Sequence, residues 1–105
     1  MRFVETPIFT RKVVELVPDD EYHALQLALL LRPEAGAIIR RSGGLRKLRW
    51  SVPGVGKRGG VRVIYYWVRA DDVIYMLMMY RKNKQIDLTA AQLKTLSKVV
   101  REEFK

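Results

Sequence analysis

Two apolar runs separated by a short turn constrain this chain most. Residues 61–68 (VRVIYYWV) are dense in β-branched and aromatic side chains, and residues 73–80 (VIYMLMMY) are almost wholly apolar. Side chains of that kind suit a pleated, buried surface. Ala70-Asp71-Asp72 between the runs supplies the turn. The pair is predicted to form an antiparallel hairpin whose second strand is central or buried on both faces. A shorter run, Leu45–Trp50, follows the Gly43-Gly44 break and is predicted as a third strand. Residues 51–60 (SVPGVGKRGG) contain Pro53 and four glycines, and are predicted as a loop.

Helical patterns flank these strands. Thr6 is a good capping residue and Pro7 suits the first helical position. Phe9, Val13 and Leu16 then follow helical spacing until Val17-Pro18 breaks the pattern. Asp19 or Asp20 starts a second helix, with Tyr22, Leu25 and Leu29 on one face and Leu27, Leu30 and Leu31 widening it. Pro33 and Gly36 close it. Arg2–Glu5 is predicted as a short opening strand. Near the other end, Thr89 and Gln92 match the capping-box spacing, with Leu88 and Leu93 as a hydrophobic staple. Leu93, Leu96, Val100 and Phe104 share a helix face. No repeat or linker interrupts the pattern, so residues 1–105 are expected to be one domain. The predicted order is β-α-α-β-β-β-α, an α+β fold with a small antiparallel sheet flanked by helices.

Composition narrows the class. Of the 105 residues, 49% are hydrophobic and 30% charged, a globular balance. No apolar run approaches the roughly 18 residues of a membrane span. No apolar signal segment follows Arg2-Phe3-Val4-Glu5. The chain has no cysteine, which excludes disulfides and thiolate metal sites. A cytoplasmic protein without membrane association is expected.

The net charge is +9 and the isoelectric point about 10.2. Residues 1–34 carry −2, residues 35–70 carry +9 with no acidic group, and residues 71–105 carry +2. The excess therefore lies in the middle third: Arg40, Arg41, Arg46, Lys47, Arg49, Lys57, Arg58, Arg62 and Arg69. A charge run is usually a solvated face. An acid-free stretch this long in a chain with 11 acids points further, to nucleic acid or another phosphate-rich partner.

Two motifs mislead. Residues 54–59 (GVGKRG) match the dinucleotide-binding glycine pattern, but a strand follows where that motif needs a helix N-terminus. Gly56-Lys57 hints at a phosphate-binding loop, but Arg58 stands where a magnesium-holding hydroxyl is required. A basic hairpin loop is the better reading, with Lys57 and Arg58 able to reach a backbone phosphate. His23 is the only histidine, so a two-histidine acid–base pair within the chain is excluded. The close carboxylate pairs, Asp71/Asp72 and Glu102/Glu103, sit in a turn and near the end of the sequence, so no metal and no cofactor are expected.

What remains is cationic chemistry. Alternation places Lys47 and Arg49 on one strand face, and Leu48 and Trp50 on the other. Arg62 stands alone among apolar residues and should face a concave polar surface. If the three strands are neighbours, Lys47, Arg49, Arg62 and Arg81 or Lys82 converge at one end of the sheet. Such a cluster suits RNA cleavage by the substrate's own 2′-hydroxyl. That reaction needs a base, fixed positive charge on the phosphate and help for the leaving oxygen. Lysine among cations supplies a base, and arginine holds phosphate oxygens. Tyr65, Tyr66 or Trp50 could stack a nucleobase, although strand aromatics more often pack a core. By composition alone, a merely structural or non-specific nucleic-acid face fits equally well.

Residues 43–49 (GGLRKLR), 56–66 (GKRGGVRVIYY), Tyr80-Arg81-Lys82-Asn83 and Asp87-Leu88 together resemble the RelE/ParE superfamily of toxin–antitoxin toxins, nearest its HigB branch. The resemblance covers nearly the whole chain. It implies a central antiparallel sheet with flanking helices, and a toxin that cleaves mRNA in the ribosomal A site. It further implies a cognate antitoxin, often a helix-turn-helix protein of HigA type. Carried over, the family's catalytic positions fall on Lys47, Arg49, Arg62 and Lys82. The family often has lysine where Arg49 stands, which makes Lys47 the better candidate for proton transfer. RelE stacks a tyrosine on the substrate base where this chain has Leu88. Arg40, Arg41, Arg46, Lys57, Arg58, Arg81 and Lys84 are expected to contact RNA or the ribosome. The alternatives are a ParE-like gyrase inhibitor, or an RNA- or ribosome-binding translation blocker that does not cut.

Overall fold

The computed structural model describes residues 1–52, 60–82 and 87–103. Eight elements follow in chain order: β1 (Arg2–Glu5), α1 (Pro7–Leu16), α2 (Asp19–Leu31), β2 (Ala37–Ile38), β3 (Arg46–Trp50), β4 (Val61–Val68), β5 (Val73–Arg81) and α3 (Ala90–Glu103). The caps form as the sequence predicts. Thr6 Oγ1 accepts the Phe9 amide at 3.1 Å. Gln92 Oε1 accepts the Thr89 amide at 3.0 Å while Thr89 Oγ1 accepts the Gln92 amide at 3.1 Å. α2 has no side-chain cap. It follows Pro18, and Asp19, Asp20 and Glu21 in its first turn complement the helix dipole.

The five strands form one sheet in the order β1-β5-β4-β3-β2. Three features differ from the predicted meander. The sheet is mixed, because β1 pairs parallel with β5 through Arg2↔Val73 to Glu5↔Met76. A two-residue strand, β2, adds to the far edge through Ala37↔Lys47 and Ile38↔Arg46. β5 also runs one residue further, to Arg81. The physical reason is common to the first two: both depend on a distant partner rather than on local pattern. Mostly apolar β5 needs cover on both edges, and β1 supplies it along the first half of β5. Thr6 then anchors the join, its amide donating to the Met76 carbonyl at 3.0 Å and its hydroxyl to the Leu77 carbonyl at 2.8 Å.

Helices cover both faces. α1 and α2 lie on one face, where Phe9, Val13, Leu25 and Leu29 pack with Val61, Val63, Tyr65, Ile74, Met76 and Met79. α3 lies on the other, where Leu93, Leu96 and Val100 meet Leu45, Tyr66, Tyr75 and Leu77. That second cluster is smaller.

Tyr65 ties the α2–β2 connection to the sheet. Its hydroxyl donates to the Pro33 carbonyl at 2.6 Å and accepts the Gly36 amide at 2.8 Å. Gly36 is obligatory here, because a Cβ would lie 2.8 Å from Tyr65 Cε1 and 3.1 Å from the Lys47 carbonyl oxygen. Tyr65→Phe would strand both partners, one of them a buried amide, and should cost about 1–3 kcal/mol in urea unfolding. An unchanged midpoint would show that water replaces the hydroxyl.

Candidate nucleic-acid interface

The sheet face that carries α3 also carries the cations. In register across three strands, Arg49 of β3 stands opposite Arg62 of β4, and Arg62 opposite Tyr80 of β5. Side chains directly opposite in a sheet are nearest neighbours. Lys47 lies two residues from Arg49 and so shares its face.

A β-bulge decides which β5 residues join this row. Tyr65 pairs with Met76 but Ile64 pairs with Met78, so Leu77 is an extra residue on β5. The bulge moves the alternation by one. Met79 therefore faces the α1–α2 core and Tyr80 faces the cations. By the same alternation Lys82 follows Tyr80 and Arg81 is turned to the opposite side. The Lys82 amide continues the ladder, donating to the Gly60 carbonyl at 3.2 Å. Lys82 itself is exposed.

One carboxylate enters the cluster. Lys47 Nζ donates to Asp87 Oδ1 at 3.2 Å. The same oxygen accepts the Leu88 amide at 2.8 Å and, at a long 3.4 Å, the Tyr80 hydroxyl. The Leu88 amide, with Lys47 assisting, holds the Asp87 carboxyl below the usual carboxylate range.

Tyr80 is 4% exposed. Its burial, reinforced by the Asp87 charge and opposed by Arg62, pushes the phenol up to about 12. The folded state thus holds this proton more tightly than the unfolded chain. Stability should fall as pH rises from the ordinary value of 10.0 to about 12, the range in which only the unfolded chain has released the proton. Tyr22 and Tyr65, also raised first by burial, act in the same direction. Phenolate absorbance followed together with circular dichroism tests this. In Tyr80→Phe, part of the alkaline loss should vanish.

Arg62 is only 6% exposed. It sits in an interior strand with neighbours on both sides. Its Nη1 lies by Gly60, where a Cβ would come within 3.6 Å. A cation at that depth is screened less by solvent than one at the surface. Arg49 is exposed, and the Lys47 side chain keeps 29% of its surface accessible.

The remaining cations are scattered. Arg46 lies on the opposite face, where its Nη1 donates to the carbonyls of Glu34 at 3.1 Å and Gly36 at 2.8 Å. Arg40 and Arg41 are exposed in the β2–β3 turn, at the end of β3 away from Arg49. Lys57, Arg58 and Lys84 lie outside the described residues. Trp50 and Tyr65 belong to the α1–α2 core and Tyr66 packs against the α3 cluster. Those three therefore do not form a stacking platform beside Arg62. Sequence reasoning gave no site role to Tyr80 or Asp87. The one local signal was a carboxylate standing just after a run of cations and before the last helix.

No family model matches the chain. Among solved structures, a mutant of the E. coli toxin RelE in its free state is similar, with a TM-score of 0.59 and 11% sequence identity. The match covers 97% of this chain and 96% of that one. The fold is RelE-like. The likeness extends over both helical layers and the mixed sheet, and at this identity it concerns the fold. No helix among the described residues is long and apolar enough to cross a membrane.

Proposed function

We propose that this RelE-like protein is the toxin of a toxin–antitoxin pair, of HigB type, and a ribosome-dependent endoribonuclease that cuts mRNA in the ribosomal A site. One observation carries the reading: the row Arg49–Arg62–Tyr80, with Lys47 beside it, crosses three adjacent strands on the α3 face of the sheet. A binding protein with no phosphate to hold has no evident need for stacked cations on adjacent strands.

In the proposed reaction the substrate's 2′-oxygen attacks the adjacent phosphorus and the bond to the 5′-oxygen breaks. The products are a 2′,3′-cyclic phosphate and a free 5′-hydroxyl. Arg62 stabilises charge on the pentacoordinate phosphate from below. Arg49 engages a phosphate oxygen from the solvent side. Lys82 supports the leaving oxygen. The 2′-hydroxyl proton passes to the neutral amine of Lys47, which Asp87 holds beside the row, and the Lys82 ammonium returns one proton to the leaving 5′-oxygen. The scheme uses no cofactor. Arg40, Arg41, Lys57, Arg58 and Lys84 serve contacts with RNA or ribosome, and a helix-turn-helix antitoxin of HigA type neutralises the protein in the cytoplasm.

The test is primer extension on an mRNA incubated with antitoxin-free protein, with and without translating ribosomes. In-frame cuts that need ribosomes support the reading. Cuts on naked RNA keep the nuclease and remove the ribosome requirement. No cuts from folded protein would leave gyrase inhibition or simple ribosome binding as the activity to test.

A further inference from the structure

A slot runs along the free edge of β5 that the cleavage reading does not use. β1 pairs with β5 only as far as Met76, and after Thr6 the chain turns away into α1. From Met78 to Arg81, β5 has no strand beside it on that edge among the described residues. α1 borders the edge from one side of the sheet and α3 from the other. Between them lie two adjoining hollows that share Met78 and Gln92.

The hollows differ in chemistry. One, of about 250 Å³, is apolar, walled by Ile8, Met78 and Leu96. Ile8 is half exposed at its rim. The other, of about 370 Å³, is lined by Lys12, Glu15 and Arg81. Lys12 and Glu15 stand 3.9 Å apart and offset one another. Among the described residues Arg81 has no such offset, and its Nε is buried without a hydrogen-bond partner there. A charged donor left in that state is costly, and native proteins seldom keep one without a use.

We propose that this slot is a docking site for an extended segment of a protein partner. The segment presents a carboxylate to Arg81 and an apolar side chain to the Ile8–Met78–Leu96 hollow. A peptide fits better than RNA, because the apolar hollow offers nothing to a sugar–phosphate chain and suits an apolar side chain. The bulge supports the assignment, because it removes Arg81 from the cationic row and faces it into this slot. The proposal goes beyond the cleavage reading and stands or falls separately from it, since its test needs neither RNA cleavage nor ribosomes.

The test is a nuclear magnetic resonance titration of the full chain with acetylated Ser/Thr-based peptides. Each peptide carries one Leu and one Asp, placed two, three or four residues apart. At least one should shift the Arg81 Nε–H and Met78 methyl resonances saturably. Its affinity should fall at least tenfold when its Asp is replaced by Asn, and likewise in the Arg81→Gln protein. If Arg81→Gln does not fold, Ile8→Glu, at a half-exposed position, provides the second variant, and the peptide Asp-to-Asn comparison needs no variant at all. Failure of every Leu/Asp peptide to move these resonances at millimolar concentration would overturn the proposal. So would a single-stranded RNA oligonucleotide that moves Arg81 Nε–H with higher affinity than any peptide.

Discussion

Arg62→Ala should lower mRNA cleavage by about 10²–10³-fold, the cost of removing one preorganised donor from a developing oxyanion. Arg62 is expected to have the largest effect among the cations because of its depth. At 6% exposure, its charge acts at low dielectric on whatever phosphate sits on the row, whereas exposed Arg49 is screened by water. Loss of the guanidinium also leaves Tyr80 without the one neighbour that opposes the rise of its pKa. Ribosome binding should change little, since Arg49, Lys47 and the turn cations remain. Arg62→Lys should recover part of the rate, because it restores charge without the planar fork. A variant that melts like the parent protein and cleaves at the parental rate would move the chemistry away from this row. Equal loss of cleavage and of binding would make Arg62 an anchor for RNA instead.

Phe9→Ala should destabilise the fold by about 3–5 kcal/mol, the range for truncating a buried large aromatic. Phe9 is fully buried, and its ring stands 5.9 Å from that of Tyr22 at 48°. It fastens α1 to β1 and β5 on one side and to α2 on the other. For a domain of this size, each kcal/mol shifts the melting temperature by about 4–8 °C, so a drop of at least about 12 °C is expected. Urea unfolding should show a lower midpoint with the slope preserved. A loss under about 1 kcal/mol would mean that neighbouring side chains collapse into the space.

Elements with local signals were legible in the sequence. The Thr6 and Thr89 caps, the break at Pro18 and the two long strands all rest on residues within a few positions of one another. Alternation in β3 likewise put Lys47 and Arg49 on a common face, and the structure agrees. Illegible features depended on partners. β2 is only Ala37–Ile38 and both residues are exposed, so no hydrophobic period marks it. The parallel pairing of β1 joins residues far apart in sequence. The bulge at Leu77 was the costliest omission for the site. Strict alternation from Tyr75 sends Tyr80 to the wrong face, and Arg81 rather than Lys82 into the row. Nothing in residues 73–80 announces the extra residue, which is visible only in the register with β4. Arg46 shows the converse limit. By charge it belongs with its neighbours, yet it spends its guanidinium on two carbonyls of the α2–β2 connection.

The β1–β5 pairing bears on how the molecule is made. Arg2–Glu5 emerges during synthesis long before its strand partner, which begins at Val73, and before its anchor carbonyls, which belong to Met76 and Leu77. Closing so long a loop delays the contact and slows folding relative to local hairpins. A nascent chain can build α1 and α2 early, while the sheet edge they follow waits for β5. The row Arg49–Arg62–Tyr80 waits for the same strand, since its last member lies near the end of β5. Sheet closure and cation convergence are thus one late event. An incomplete chain still attached to its own ribosome holds positive charges in the right order but not yet in the right place.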